Sequence, residues 1–301
     1  MDSYRQAVSV LPEPLRTRAL EVDTPCMART EEIRLRVGRV PTLVLPEGEC
    51  PIPGTGQVSA QELERLVEFA SQWSLHAVLE QLRRGYLTLE GGHRLGLCGS
   101  AVMEGEQIHA LRDISGADLR VARQISGIAR GFAGKLFQAS KLCDTLILAP
   151  PGAGKTTLLR DLIRCISSGE AGAPLRVSVV DERGELAAMW RGQAQMELGC
   201  RTDVMDGCPK AVAIPLLLRG MNPQVIAVDE ITALEDIRAI EQAVGCGVAL
   251  LATAHARGLQ DLRDRPLYRK MMEQRLFQQL VIIRVEQGVR SFQVVPAEDV
   301  R

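Results

Sequence analysis

Residues 149–157, APPGAGKTT, constrain this chain more than any other stretch. They follow the apolar run DTLILA (144–149) and precede LLRDLIRCI (158–166), whose apolar residues recur at helical spacing. A glycine-rich loop between a strand and a helix turns its backbone amides inward around phosphate oxygens, and the helix N-terminus favours the negative charge. Pro151, Gly152, Ala153, Gly154, Lys155, Thr156 and Thr157 would form this cradle for ATP. Lys155 would reach the β and γ phosphates, and the Thr156 hydroxyl would hold Mg²⁺. The G-x-x-x-x-G-K-[ST] pattern departs at its first position, Ala149, which fits if the backbone keeps a negative φ there.

The surrounding rhythm agrees with that motif. Apolar runs at 144–149, 175–181, 224–229, 247–253 and 279–285 alternate with helical patterns, which predicts an α/β P-loop core with a mostly parallel sheet and helices on both faces. The glycine-rich stretch 168–174 reads as a surface loop inside that core. Residues 1–135 lack this rhythm. EEIRLRVGRVPTLVL (31–45) reads as a hairpin, and Ser59 with Glu62 forms a capping box opening an amphipathic helix over 60–84. In GYLTLEGGHRLGLCG (85–99), Gly91-Gly92 suits a two-residue turn between strands. The expected division is a smaller N-terminal α+β domain, 1–135, and the P-loop domain, 136–301.

A Walker B strand should end in a carboxylate near the metal, and QVIAVDE (224–230) supplies Asp229 with Glu230 beside it. Asp229 would serve Mg²⁺ while Glu230 orients and deprotonates the attacking water. Kinases and small GTPases seldom carry that adjacent glutamate, whereas ring-forming motors use it as the base. Thr232 with Glu235 makes a capping box for the following helix. The strand between the two Walker motifs ends in VVDERGEL, placing Asp181, Glu182, Arg183 and Glu185 at the carboxyl edge where open α/β sheets bind ligands, and Glu182 is a catalytic candidate. His255, in ATAHARG (252–258), lies at the same edge and suits a γ-phosphate sensor.

Composition sets limits. Lys plus Arg is 36 against Asp plus Glu at 37, and aromatics are only 3%. Neither a basic face nor a supply of stacking rings favours a nucleic-acid partner. Eight cysteines contain no C-x-x-C pair, so no metal cluster is spelled out and free cytosolic thiols are expected. No secretory leader and no apolar run of roughly 18 residues is present, which predicts a cytoplasmic chain.

Together these motifs resemble the secretion ATPase superfamily, the RecA-like hexameric motors of type II and type IV secretion. The run LLLRGMNPQVIAVDE (216–230) is similar to the arginine-bearing stretch before Walker B in those motors, which points to Arg219 as a catalytic residue. A closer resemblance, carried by 85–99, LILAPPGAGKTTLLRDLIR, VVDERGEL, GCRTDVMDGCPKA (199–211), IAVDE and ATAHARG, is to the stage III sporulation AA family. The chain length, with no appended domain, fits that family. ITALED after Glu230 departs from the glycine and arginine expected there. The resemblance implies an ATPase of the mother cell of an endospore-forming bacterium, docked through partners at the inner membrane to a membrane-embedded sporulation complex. No arginine of the four motifs is read as a finger, so a homo-oligomeric ring, a hexamer, is expected to complete each site in trans. Arg34, Arg36, Arg94, Arg120 and Arg123 are candidates, and Arg201 and Arg219 better ones. The alternatives are a nucleic-acid-dependent P-loop ATPase and a nucleotide-binding scaffold without turnover.

Overall fold

The computed structural model describes residues 3–71, 85–105, 107–256, 258–286 and 289–300. Two compact units emerge: residues 1–123 with 188–195, and residues 124–187 with 196–301.

The first unit begins with short helices α1 (Ser3–Val8), α2 (Leu15–Leu20) and α3 (Thr24–Arg29), then strands β1 (Glu32–Arg36), β2 (Thr42–Leu45) and β3 (Gly48–Pro51). Helix α4 (Ala60–Ser71) precedes β4 (Tyr86–Thr88), β5 (Arg94–Glu104) and β6 (Gln107–Arg120). The sheet order is β3-β2-β1-β6-β5-β4, every pair antiparallel. In β1 the period of two sends Ile33 and Leu35 into a core shared with Tyr4, Leu63 and Leu119, while Glu32, Arg34 and Arg36 take the other face. The expected capping box is present: Ser59 N–H donates to Glu62 Oε2 (2.7 Å) and Glu62 N–H to Ser59 Oγ (3.2 Å). The rest of the helix expected over 60–84 lies outside the described residues. The hairpin at 85–99 closes differently from expectation. Leu89 N–H donates to the His93 carbonyl (2.8 Å), so three residues turn the chain, with φ of 80° and 78° at Gly91 and Gly92.

The second unit contains the two-residue strands β7 (Phe137–Gln138) and β8 (Lys141–Leu142) and a seven-stranded sheet. That sheet is built from β9 (Thr145–Ala149), β10 (Val177–Asp181), β11 (Thr202–Asp206), β12 (Val225–Val228), β13 (Ala249–His255), β14 (Gln279–Glu286) and β15 (Val289–Pro296). Its order is β11-β10-β12-β13-β9-β14-β15, with only β15 antiparallel to its neighbour. Five strands stand where the apolar runs predict them; the two edge strands β11 and β15 are additional. The helices are α5 (Lys155–Ser168), α6 (Lys210–Gly220), α7 (Leu234–Gly245), α8 (Leu259–Asp264) and α9 (Pro266–Glu273). Leu146 and Leu148 of β9 share one core with Ile214, Ile240 and Met271 of α6, α7 and α9. The cap on α7 is Asp236, whose Oδ2 accepts from Thr232 N–H (3.0 Å) and Ala233 N–H (3.1 Å), in place of the expected Glu235. Among the described residues no helix is long and apolar enough to cross a membrane.

Candidate functional site

Parallel register brings the motif residues to one edge. His255 of β13 pairs with Ala149 of β9, and Val228 of β12 pairs with Ala252, so the chain leaving β9, β12 and β13 opens onto one place. Ala149 keeps an ordinary backbone, as the loop needs. Gly152 and Gly154 take φ of 74° and 98°, values that a side chain at either position would resist. The loop then enters α5 at Lys155, which is buried (5% exposed).

A cavity of about 300 Å³ lies there, lined by Gly152 and Gly154 of the loop, by Lys155, Thr156 and Thr157 at the start of α5, and by Glu185, Asp229, Glu230 and His255. Lys155 Nζ donates to the Pro150 carbonyl (3.3 Å) and to His255 Nδ1 (2.7 Å). An ammonium only donates, so Nδ1 is assigned as the acceptor and the imidazole proton sits on Nε2, 3.1 Å from Glu230 Oε2. Burial pushes the Lys155 pKa down against the pull of Asp229, Glu230 and Glu185. The Thr156 hydroxyl donates to Asp229 Oδ2 (2.9 Å), and the Thr253 hydroxyl to Asp229 Oδ1 (2.7 Å). Glu230 N–H donates to Thr253 Oγ1 (2.9 Å), which holds Glu230 at φ 35°, a conformation other residues avoid and functional sites often store.

The loop after β10 is shaped by Asp181, which is 1% exposed. Its carboxylate accepts from the amides of Glu185, Leu186 and Ala187 at 2.7 to 3.1 Å. Burial pushes its pKa up, opposed by those amides. From α5, Arg160 donates to the carbonyls of Leu186 (2.8 Å) and Glu185 (2.5 Å), so the P-loop helix and this loop are tied together. The result turns Glu185, and not Glu182, to the cavity. Glu182 instead pairs with buried Lys210. Arg183 Nη1 reaches Glu230 Oε2 at 3.2 Å, a contact the sequence reading does not contain. Another residue outside that reading is Arg290 of β15, whose Nε donates to the Ala153 carbonyl (3.1 Å).

The remaining candidate arginines lie elsewhere. Arg219 is exposed in the last turn of α6, its Nε on the Pro215 carbonyl (3.1 Å), just before β12 begins. Arg201 precedes β11 and borders an open depression with Arg176 and Gln224. Both therefore sit at the amino edge of the parallel sheet, opposite the cavity. In the first unit, Arg34 and Arg120 pair with Glu32, Arg36 with Glu49, and Arg94 lies over the Tyr86 ring. Arg123 donates to the Thr30 (2.5 Å) and Met27 (2.9 Å) carbonyls at the end of α3.

Comparison with known proteins places the chain. The profile of the family described as "Sporulation stage III, protein AA" matches residues 1–297. The chain belongs to this family. Stage III sporulation protein AA of Bacillus subtilis (strain 168) is 38% identical over 273 residues, 90% of this chain and 88% of that one. An uncharacterized protein, ycf45, of Cyanidium caldarium is 23% identical over 53% of the chain and 46% of its own length. Among solved structures, the pilus retraction motor PilT with bound ADP superposes with a TM-score of 0.58 at 14% identity, covering 89% of this chain and 79% of PilT. The Legionella pneumophila ATPase DotB gives 0.55 at 15%, covering 88% and 76%. The fold is thus the RecA-like P-loop core preceded by a smaller α+β domain.

Proposed function

We propose that this protein is a Mg²⁺-dependent ATPase of the secretion-motor type, working as a homo-oligomeric ring that serves a membrane-embedded sporulation complex between mother cell and forespore. In this reading residues 136–301 form the ATPase domain, and 1–135 adapt it to its partners from the cytoplasmic side. The observation that carries it is the convergence of Lys155, Thr156, Asp229, Glu230 and His255 on one cavity at a helix N-terminus. Chance glycine-rich turns do not collect a buried lysine, a hydroxyl–carboxylate pair and a second carboxylate.

The donor set suits Mg²⁺. A hydroxyl (Thr156) and a carboxylate (Asp229) 2.9 Å apart offer hard oxygens, and substrate phosphates and water complete such sites. Bound there, the ion would neutralise charge on the β and γ phosphates. The chain's own groups have separable tasks. Lys155 and the loop amides bind the phosphates, and the positive end of α5 adds to their pull. Glu230, beside the His255 imidazole that Lys155 holds, would orient water and take its proton. Phosphate entering the cavity competes with His255 for Lys155, so His255 can report an occupied γ position.

Nucleotide titration on two variants tests this. Lys155→Ala should lose ATP binding, while Glu230→Gln should bind ATP as wild type does and promote assembly visible by light scattering. Lys155→Ala binding ATP with unchanged affinity would remove the reading, and a strict monomer with full activity would remove the ring.

A further inference from the structure

Oxygen Oε2 of Glu230 accepts from Arg183 Nη1 at 3.2 Å and lies 3.1 Å from His255 Nε2. The arginine is held at its base and exposed at its head. Its backbone lies in the turn from Asp181 to Gly184, closed by the Gly184 N–H on the Asp181 carbonyl (3.3 Å), with Gly184 at φ 63°. The Asp181 carboxylate anchors the residues that follow, and Arg160 binds them to the P-loop helix. The Arg183 side chain, by contrast, is 62% exposed and ends on a residue lining the cavity. Such a group can change partner by side-chain rotation alone. An exposed ion pair of this kind contributes little stability, whereas a terminal phosphate offers several charged oxygens matched to the guanidinium fork.

We propose that Arg183 stabilises charge on the γ-phosphate of the nucleotide in its own subunit, exchanging its Glu230 contact for the phosphate. The inference rests on the ATPase reading and deepens it, because it completes the site in cis. Arg201 and Arg219, at the opposite edge of the sheet, cannot do so for their own cavity. One movement then has two effects. The guanidinium arrives at the phosphate, and Oε2 of Glu230 is released from its arginine donor and opens to the attacking water. Water attacks the γ-phosphorus, its proton passes to Glu230, and the bond to the β-phosphate oxygen breaks with its electron pair leaving on ADP.

The experiment uses the full chain with Arg183→Ala and Arg183→Lys. Turnover is measured, along with binding of ADP and of ADP with aluminium fluoride, which mimics the transferring phosphoryl group. Arg183→Ala should lower kcat by roughly 10³-fold, the scale of other catalytic arginines. ADP affinity and melting temperature should stay as in wild type, affinity for ADP with aluminium fluoride should fall, and Arg183→Lys should recover part of both losses. Mixed with Lys155→Ala subunits, Arg183→Ala should gain no activity. Recovery on mixing would place the arginine in trans and overturn the proposal. So would turnover of Arg183→Ala at or above the wild-type level, or equal losses for ADP and its aluminium fluoride complex. Failure of the ATPase reading would look different, since wild type itself would then bind ADP with aluminium fluoride no better than ADP.

Discussion

In the antiparallel unit the buried polar side chain His93 takes the Ala122 N–H on Nδ1 (3.0 Å) and is closed off at 1% exposure; in the P-loop unit Lys155, Asp229, Glu230 and His255 converge on a space large enough for phosphates. The arginines divide the same way. Arg123 spends its guanidinium on two backbone carbonyls, while Arg183 rests on a carboxylate it can leave. Polar side chains spent on backbone groups inside a fold hold it together. Those that satisfy one another around a cavity are available to a ligand. Burial alone does not distinguish the two cases, but what lies beside the group does.

The contrast can be broken inside the P-loop unit itself, where Asp161 is a structural group on the same helix as Lys155. Its carboxylate accepts from Gly127 N–H (2.9 Å), Ala129 N–H (2.7 Å) and Arg164 Nε (2.8 Å). Burial raises its pKa, but those donors outweigh it and the net shift is downward. A depressed carboxylate contributes stability above its unfolded value of 3.8 that is lost as pH falls through the lower folded value. Asp161→Ala should cost about 3–5 kcal/mol in denaturant unfolding, the scale for stripping one partner from a buried ion pair, with ATP affinity of the folded protein unchanged. A large loss of affinity at unchanged stability would erase the distinction.

A smaller effect sharpens it in the antiparallel unit. Burial, helped by the nearby Arg123 charge, lowers the His93 pKa from 6.5 to about 4. The unfolded chain therefore takes up a proton between pH 6.5 and 4 that the folded unit refuses. Stability is full above pH 6.5 and falls by about 3 kcal/mol as pH drops to the folded value. Hydrogen exchange should show protection in β4 to β6 falling over that window while β9 to β13 hold theirs, and His93→Gln should flatten the slope. Equal losses in both sheets would refute the assignment to His93.

The sequence announces β9, β12 and β13 because strands buried on both faces read as continuous apolar runs. It conceals β11 and β15, edge strands whose TDVMD and VRSFQVVP mix polar with apolar residues and whose side chains are half-buried or exposed. The Walker residues are legible because a phosphate loop needs fixed local spacing. The exchange of Glu182 for Glu185 is not, since it depends on Lys210, 28 residues away, taking Glu182, and on Asp181 gathering three amides. Arg183 on Glu230 spans 47 residues and leaves no local pattern either.

Phosphate release from the purified chain with Mg²⁺ and ATP, wild type beside Glu230→Gln, with and without single-stranded DNA, tests the central claim most directly. Wild type should turn over steadily and indifferently to DNA, and Glu230→Gln should fall by at least about 10²-fold, as loss of a general base requires. Turnover by Glu230→Gln near the wild-type rate, or wild-type activity only when DNA is present, would contradict it.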